Sequence, residues 1–359
     1  MSLMTKITAA VGLVICVAFS SGAYRMESKS GALQTAAQVL PAGVRVEEVK
    51  FGSDNLTLAG TLLLPKLDAG RRAPAVLIIG GAGPTLRDGV VFGKTAHRQY
   101  RELAEHLAAR GFAVLRYDKR CTGASGCKPR SLFEDYITDA HAAVELLRKR
   151  TEVDASRIAL FGHGEGGFFA TVVAKPEEKI AAMVLASSPG RTLAKLLNDH
   201  VQRSFTEMGK SQAEINAYLN KIKRITNQLS LGHMENMAEP IDPNDELLNG
   251  LLRQPEYTIS LMIDDPLQAI KTVRAPTLIL QGRKDVQMSV KDAEYLEEEL
   301  TRAEHRDVTV RLLPDVDYLL QTCKGAGTIK ALSEPSQPVD PAVLSTVTDW
   351  LQKKLSIRP

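Results

Sequence analysis

"RIALFGHGEGG", Arg157–Gly167, runs straight into "FFATVVA", Phe168–Ala174. The apolar start suits a strand buried on both faces, and the second stretch suits a helix. Between them lie four glycines in six residues. A strand, a tight glycine turn and a helix form a sharp bend that lifts one side chain above a sheet, and a reactive serine is often found there. The apex here is Gly164, which has no side chain to present.

The flanking sequence repeats the same rhythm. "VRVEEVKF" and "LTLAGTLLLP" enclose the turn residues "GSDN" and predict a hairpin. "PAVLIIGG", "FAVLRYD", "RIALFG" and "IAAMVLASS" are buried-strand runs, separated by the amphipathic stretches "RQYRELAEHLAARG" and "LFEDYITDAHAAVELLRKR" and by "EGGFFATVVAK". The alternation predicts an α/β fold, a mostly parallel sheet flanked by helices. It stops at Pro189 and resumes with "APTLILQG", "SVKDAEYLEEEL", "DVTVRLLP" and a last helix "PAVLSTVTDWLQKKL". Residues 191–270 are polar and helical in character. They are expected to form a helical cap insertion over the carboxyl ends of the strands, where open α/β sheets bind ligands. The core then comprises 44–190 and 271–357. In the insertion, Leu229, Leu231, Met234, Met237, Leu247 and Leu248 suit either a pocket lining or an ordinary helix core.

The chain has 359 residues, with 44% apolar and 24% charged residues, a globular balance rather than a disordered one. A net charge of +3, with the basic residues scattered, argues against a nucleic-acid partner. After Lys6, "ITAAVGLVICVAF" is too short for a membrane span and suits the centre of an export signal ending near "SSGA". Residues 1–23 are therefore expected to be a signal peptide and 24–43 a flexible lead-in. The alternative is an uncleaved anchor, the one membrane contact the sequence allows. Cys121 and Cys127 bracket "CTGASGC" and can pair in an oxidising compartment, with Cys323 left over. The histidines are dispersed, and no metal site or cofactor is expected.

Four stretches resemble, in order, the motifs of the α/β-hydrolase superfamily, and in particular its exported bacterial esterases. They are "GGAGPTLRDG" (Gly80–Gly89), "YDKRCTGASG" (Tyr117–Gly126), "GHGEGG" (Gly162–Gly167) and "QGRKDVQ" (Gln281–Gln287). The resemblance spans roughly residues 44–355 and implies an α/β-hydrolase fold. It implies that Gly164 holds the nucleophile position, and that the backbone N–H of Glu165 and that of Gly81 or Ala82 form an oxyanion hole. It implies that Asp285 is the acid that orients a histidine. The histidine position falls in "LPDVDYLLQ", Leu313–Gln321, and is Tyr318.

Loss of the nucleophile or the base costs about 10⁶-fold in rate, roughly 8 kcal/mol of barrier. A phenol is a poor base at neutral pH, so Tyr318 is expected to have a structural or ligand-contacting role. His163 is expected to pack or make a local hydrogen bond. Glu165 is expected to diverge from the cleft, because successive residues at a helix start point about 100° apart. Cys121 replaces a motif glycine but has no evident base. The reading these residues favour is an exported protein with a degenerate triad that binds a small or ester-like ligand, or a protein partner, beneath the insertion without efficient hydrolysis. The alternatives are an active ester hydrolase with an unrecognised nucleophile and an interaction scaffold.

Overall fold

The computed structural model describes residues 41–356, except 84, 93–94, 129, 232–240, 244 and 329. The expected export signal, Met234 and Met237 lie outside the described residues. β1 (Arg45–Ser53) and β2 (Leu56–Leu64) form the expected antiparallel hairpin, with Ser53 opposite Leu56. β3 (Ala73–Ile79) is buried at every position. A small antiparallel ladder follows, β4 (Thr85–Leu86), β5 (Gly89–Phe92) and β6 (Thr95–Ala96). The main sheet continues with β7 (Ala113–Tyr117), β8 (Val153–His163), β9 (Ala182–Ala186), β10 (Thr277–Gly282) and β11 (Val308–Leu313). Its eight strands run in the order β1-β2-β7-β3-β8-β9-β10-β11, and all from β7 onward are parallel.

The two-residue period of β3 explains why the sheet is covered on both faces. Ala75, Leu77 and Ile79 join one apolar cluster, while Val76 and Ile78 join another on the opposite face. The second face is covered by α1 (Gln99–Ala108), through Tyr100, Leu103 and Leu107, and by the C-terminal helix. The first is covered by α2 (Phe133–Arg148) and α3 (Glu165–Val173).

Between β9 and β10 the described residues form helices and connections only. These are α4 (Leu193–Glu207), α5 (Gln212–Ser230), α6 (Glu246–Arg253), α7 (Pro255–Ile263) and α8 (Pro266–Ile270). Ser211 and Glu214 close a capping box at the start of α5. Leu229, Leu247 and Leu248 are buried in the shared core and serve packing, whereas Leu231 is 70% exposed. The segment is tied to the loop after β10 by two arginines. Arg191 grips Asp292 with bonds of 2.9 and 2.7 Å, and Arg203 donates to the Val286 carbonyl at 2.7 Å. Asp292 lies in α9 (Val290–Arg302), and the chain closes with α10 (Pro341–Lys354).

The loop after β7 is fixed from within. Arg120 is fully buried and forks onto Asp139 of α2 at 2.8 and 2.7 Å. Cys121 adopts φ 63°, the left-handed backbone of the glycine it replaces, and is disulfide-bonded to Cys127; Cys323 is free. Removing one member of a buried ion pair strands the other charge. Asp139→Ala is therefore expected to cost about 3–5 kcal/mol, measured by urea denaturation.

Candidate functional site

The carboxyl ends of β3, β7, β8, β10 and β11 bring together the loops singled out from the sequence. At the end of β8, Gly164 has φ 54° and ψ −126°, and α3 begins at the next residue. This sharp turn costs an L-residue about 1–3 kcal/mol and glycine little. Close backbone approach fixes the turn: a Cβ on Gly162 would lie 2.5 Å from the Gly166 carbonyl, and one on Gly166 2.5 Å from that of Gly80. A Cβ on Gly164 would collide with the Tyr318 hydroxyl and lie 3.2 Å from its ring carbon Cζ. A Cβ on Gly81 would come within 2.9 Å of the same hydroxyl. The Tyr318 phenol therefore fills the space at the apex, where a side chain on residue 164 would begin.

His163 fastens three loops. Its Nε2 lies 2.8 Å from the Tyr318 carbonyl, which can only accept, so Nε2 carries the proton. Nδ1 is then the acceptor and takes the Tyr100 hydroxyl at 2.7 Å, while Tyr100 Oη in turn accepts the Gly81 N–H at 3.0 Å. Both ring nitrogens are occupied and the ring is fully buried. Burial holds the imidazole down to about 4, with the Tyr318 carbonyl opposing. His163 is thus a neutral strut, as its expected local role required, and supplies no base to the apex. Of the two loop residues named as oxyanion donors, Gly81 gives its N–H to Tyr100. Ala82 does not share that bond, and it lines the cleft.

Asp285 lies in the turn after β10. One carboxylate oxygen accepts from Gln287 N at 2.7 Å and Met288 N at 2.9 Å, and the other from Gln281 Nε2 at 3.0 Å. Ser187, at the end of β9 with φ 48°, faces it outside hydrogen-bond geometry. Burial pushes the carboxyl up to about 7, against these hydrogen bonds.

Glu165 departs from expectation. It lines the cleft with Ala82 and Phe168 instead of diverging, and its Oε2 accepts from Lys119 Nζ at 3.1 Å. Both side chains are less than a tenth exposed. Lys119 also donates to the Gly81 carbonyl at 3.0 Å and lies 4.7 Å from the centre of the Tyr136 ring. Residue 164 is the hinge of the turn rather than a helical position, so the 100° step does not apply between it and Glu165. Lys119 lies within "YDKRCTGASG", but no local feature of the sequence marks it or Tyr100. The cleft measures about 50 Å³, on the order of a few water molecules. Leu193, Leu196 and Leu261 of the helical segment, together with Met288, give it apolar walls. A Ser204–His200 pair on α4, 3.3 Å apart, is buried and lies off this cleft. Cys121 is held in its disulfide, and the described residues contain no cluster suited to a metal ion.

A mostly parallel sheet carrying a glycine elbow after its third parallel strand defines an esterase-like α/β hydrolase. Residues 92–316 match the family described as serine aminopeptidase, S33, and the chain belongs to that family. It is similar to esterase EstD of Thermotoga maritima, at 26% identity over 314 residues, 86% of this chain and 69% of that protein. It is also similar to the uncharacterized protein PA2218 of Pseudomonas aeruginosa, at 33% identity over 172 residues, 46% of this chain and 43% of that one. Among solved structures, an esterase of Pyrococcus furiosus, Pf2001, shares the fold with a TM-score of 0.55 and 18% identity, covering 87% of this chain and 91% of that one.

Gly164→Ser alone is expected to lower stability by about 1–3 kcal/mol through backbone strain, with a further loss from displacing the phenol; adding Tyr318→His should recover the second part in urea titrations. Asp285 binds its proton more tightly folded than unfolded, so its contribution is complete below about pH 4 and is lost as pH rises through about 7. His163 has the opposite sign, with stability lost as pH falls from 6.5 through about 4. Asp285→Asn is therefore expected to stabilise the chain at pH 8, on the order of 4 kcal/mol relative to the shift at pH 4. It should also unmask the rise due to His163 between pH 4 and 6.5, read from urea midpoints across that range.

Proposed function

We propose that this chain binds a small, partly apolar ligand in the cleft beside Ala82 and Glu165, under the helical segment 191–270, without hydrolysing esters. In this reading its triad is degenerate: Gly164 stands at the nucleophile position, Tyr318 at the histidine position, and Asp285 remains as the acid. The observation that carries the proposal is the phenol packed against Gly164, in the space from which an attacking hydroxyl would reach a carbonyl. His163 is near, but both its nitrogens are engaged and burial keeps it neutral. The Cys121–Cys127 disulfide supports an oxidising setting and so favours export.

The purified protein is expected to hydrolyse p-nitrophenyl acetate no faster than buffer and to take no label from a fluorophosphonate. Labelling of any single residue overturns the reading. Gly164→Ser combined with Tyr318→His is expected to gain fluorophosphonate labelling at position 164, because Asp285 and the backbone donors are still in place. Failure of the double variant to label would mean that the cleft is no longer laid out for acyl transfer.

A further inference from the structure

We propose that the cleft carries a proton-transfer activity, in which Glu165 removes a proton from the carbon next to a ligand carbonyl. The carbonyl oxygen would be held by the backbone N–H groups of Ala82 and Glu165 and by the Tyr318 phenol. This rests on the reading above only in taking the cleft as a ligand site that does not perform acyl transfer.

Two observations converge on it. First, Glu165 lines the cleft, and its carboxylate is fixed. Lys119 holds Oε2 and is itself anchored to the Gly81 carbonyl, so the carboxylate cannot swing away from the oxyanion loop. The bond to Lys119 uses Oε2 alone, which assigns the transfer to Oε1. Tyr257, from α7, faces the same carboxylate from the helical segment, outside hydrogen-bond geometry.

Second, donors gather where negative charge would develop. The Glu165 N–H is in the first turn of α3, where no intrahelical carbonyl can take it and where the helix dipole favours an anion. Ala82 is across the cleft. The Tyr318 hydroxyl adjoins both Gly81 and Gly164, and so stands between the two loops that supply these N–H groups. An ordinary acyl-transfer site has a nucleophile at that point. Here a hydroxyl donor replaces it, so a bound carbonyl is polarised but not attacked.

The cleft volume of about 50 Å³ suits a ligand head of a few heavy atoms.

The step balances without a co-reactant. The α-carbon–hydrogen bond breaks, its electron pair forms the carbon–carbon double bond of an enolate, and the charge passes to the oxygen held by the three donors. The proton goes to Glu165. It then returns to the same carbon, giving exchange or racemisation, or to the far end of a conjugated system, giving isomerisation. The ligand class is therefore a small ketone or thioester with an acidic α-hydrogen.

The test is hydrogen–deuterium exchange. Acetone and S-methyl thioacetate are incubated in D₂O with the full chain, and loss of the methyl proton signal is followed by NMR. Exchange at least about tenfold above buffer is expected for one or both. Glu165→Gln is expected to lower the enzymatic exchange by about 10²–10⁴-fold, and Tyr318→Phe by about 10²-fold. Exchange at the buffer rate with both probes overturns the proposal, as does undiminished exchange in a folded Glu165→Gln protein. If that variant fails to fold, Glu165→Asp keeps the charge facing Lys119 but shortens the reach. A reduced rate in Glu165→Asp supports the proposal, and an unchanged rate overturns it. Acetate released from the thioester would appear in the same spectra and would count against the non-hydrolytic reading instead, so the two failures are told apart.

Discussion

A single neutral imidazole holds the working end of this molecule together. Because Nε2 of His163 must donate to the Tyr318 carbonyl, Nδ1 must accept from Tyr100, and Tyr100 must in turn accept from Gly81. Direction passes along the chain with no choice left at any link. It registers the loop after β3, the elbow after β8 and the loop after β11 against one another. The position of the Tyr318 side chain, and hence the closure of the apex at Gly164, follows from that registration. A proton on Nδ1 would face the hydroxyl that now donates to it, and burial keeps the proton affinity of the ring low, against the Tyr318 carbonyl.

The charged groups around the site differ in how they are supported. Arg120 with Asp139 and Lys119 with Glu165 are buried pairs in hydrogen-bond contact. Such pairs are poor sources of net stability, yet losing either partner strands a buried charge. Asp285 has amide donors but, among the described residues, no ion-pair partner, and burial makes it costly to ionise. A carboxylate of this kind is expensive scaffolding unless something uses its charge. The arginines that join the helical segment to the same region, Arg191 at Asp292 and Arg203 at the Val286 carbonyl, make the roof of the cleft continuous with the turn that carries Asp285.

Much of this was written in the sequence. Strands buried on both faces announce themselves as unbroken apolar runs, and "PAVLII" and "RIALFG" lie in the sheet as read. The glycines at 162 and 166 could be placed because each stands where a backbone carbonyl of a neighbouring segment approaches. Gly164 and Tyr318 drew attention through the resemblance of their stretches to family motifs, and the structure brings the two together. What was not readable depends on contacts between distant segments. Tyr100 is one aromatic residue among others on an amphipathic helix until His163, 63 residues on, is brought to it. Helical periodicity misdirects Glu165, because Gly164 before it is a hinge and not a helical position. Its partner Lys119 belongs to another loop, and no local pattern joins the two.

The mutual packing of Gly164 and Tyr318 also constrains history. A hydroxymethyl group at residue 164 must displace the phenol, whereas a smaller ring at 318 leaves a bare glycine beside it. A side chain can thus be added at residue 164 without strain against its neighbour only after residue 318 has become smaller, which ties the two positions to one another in any change of this site.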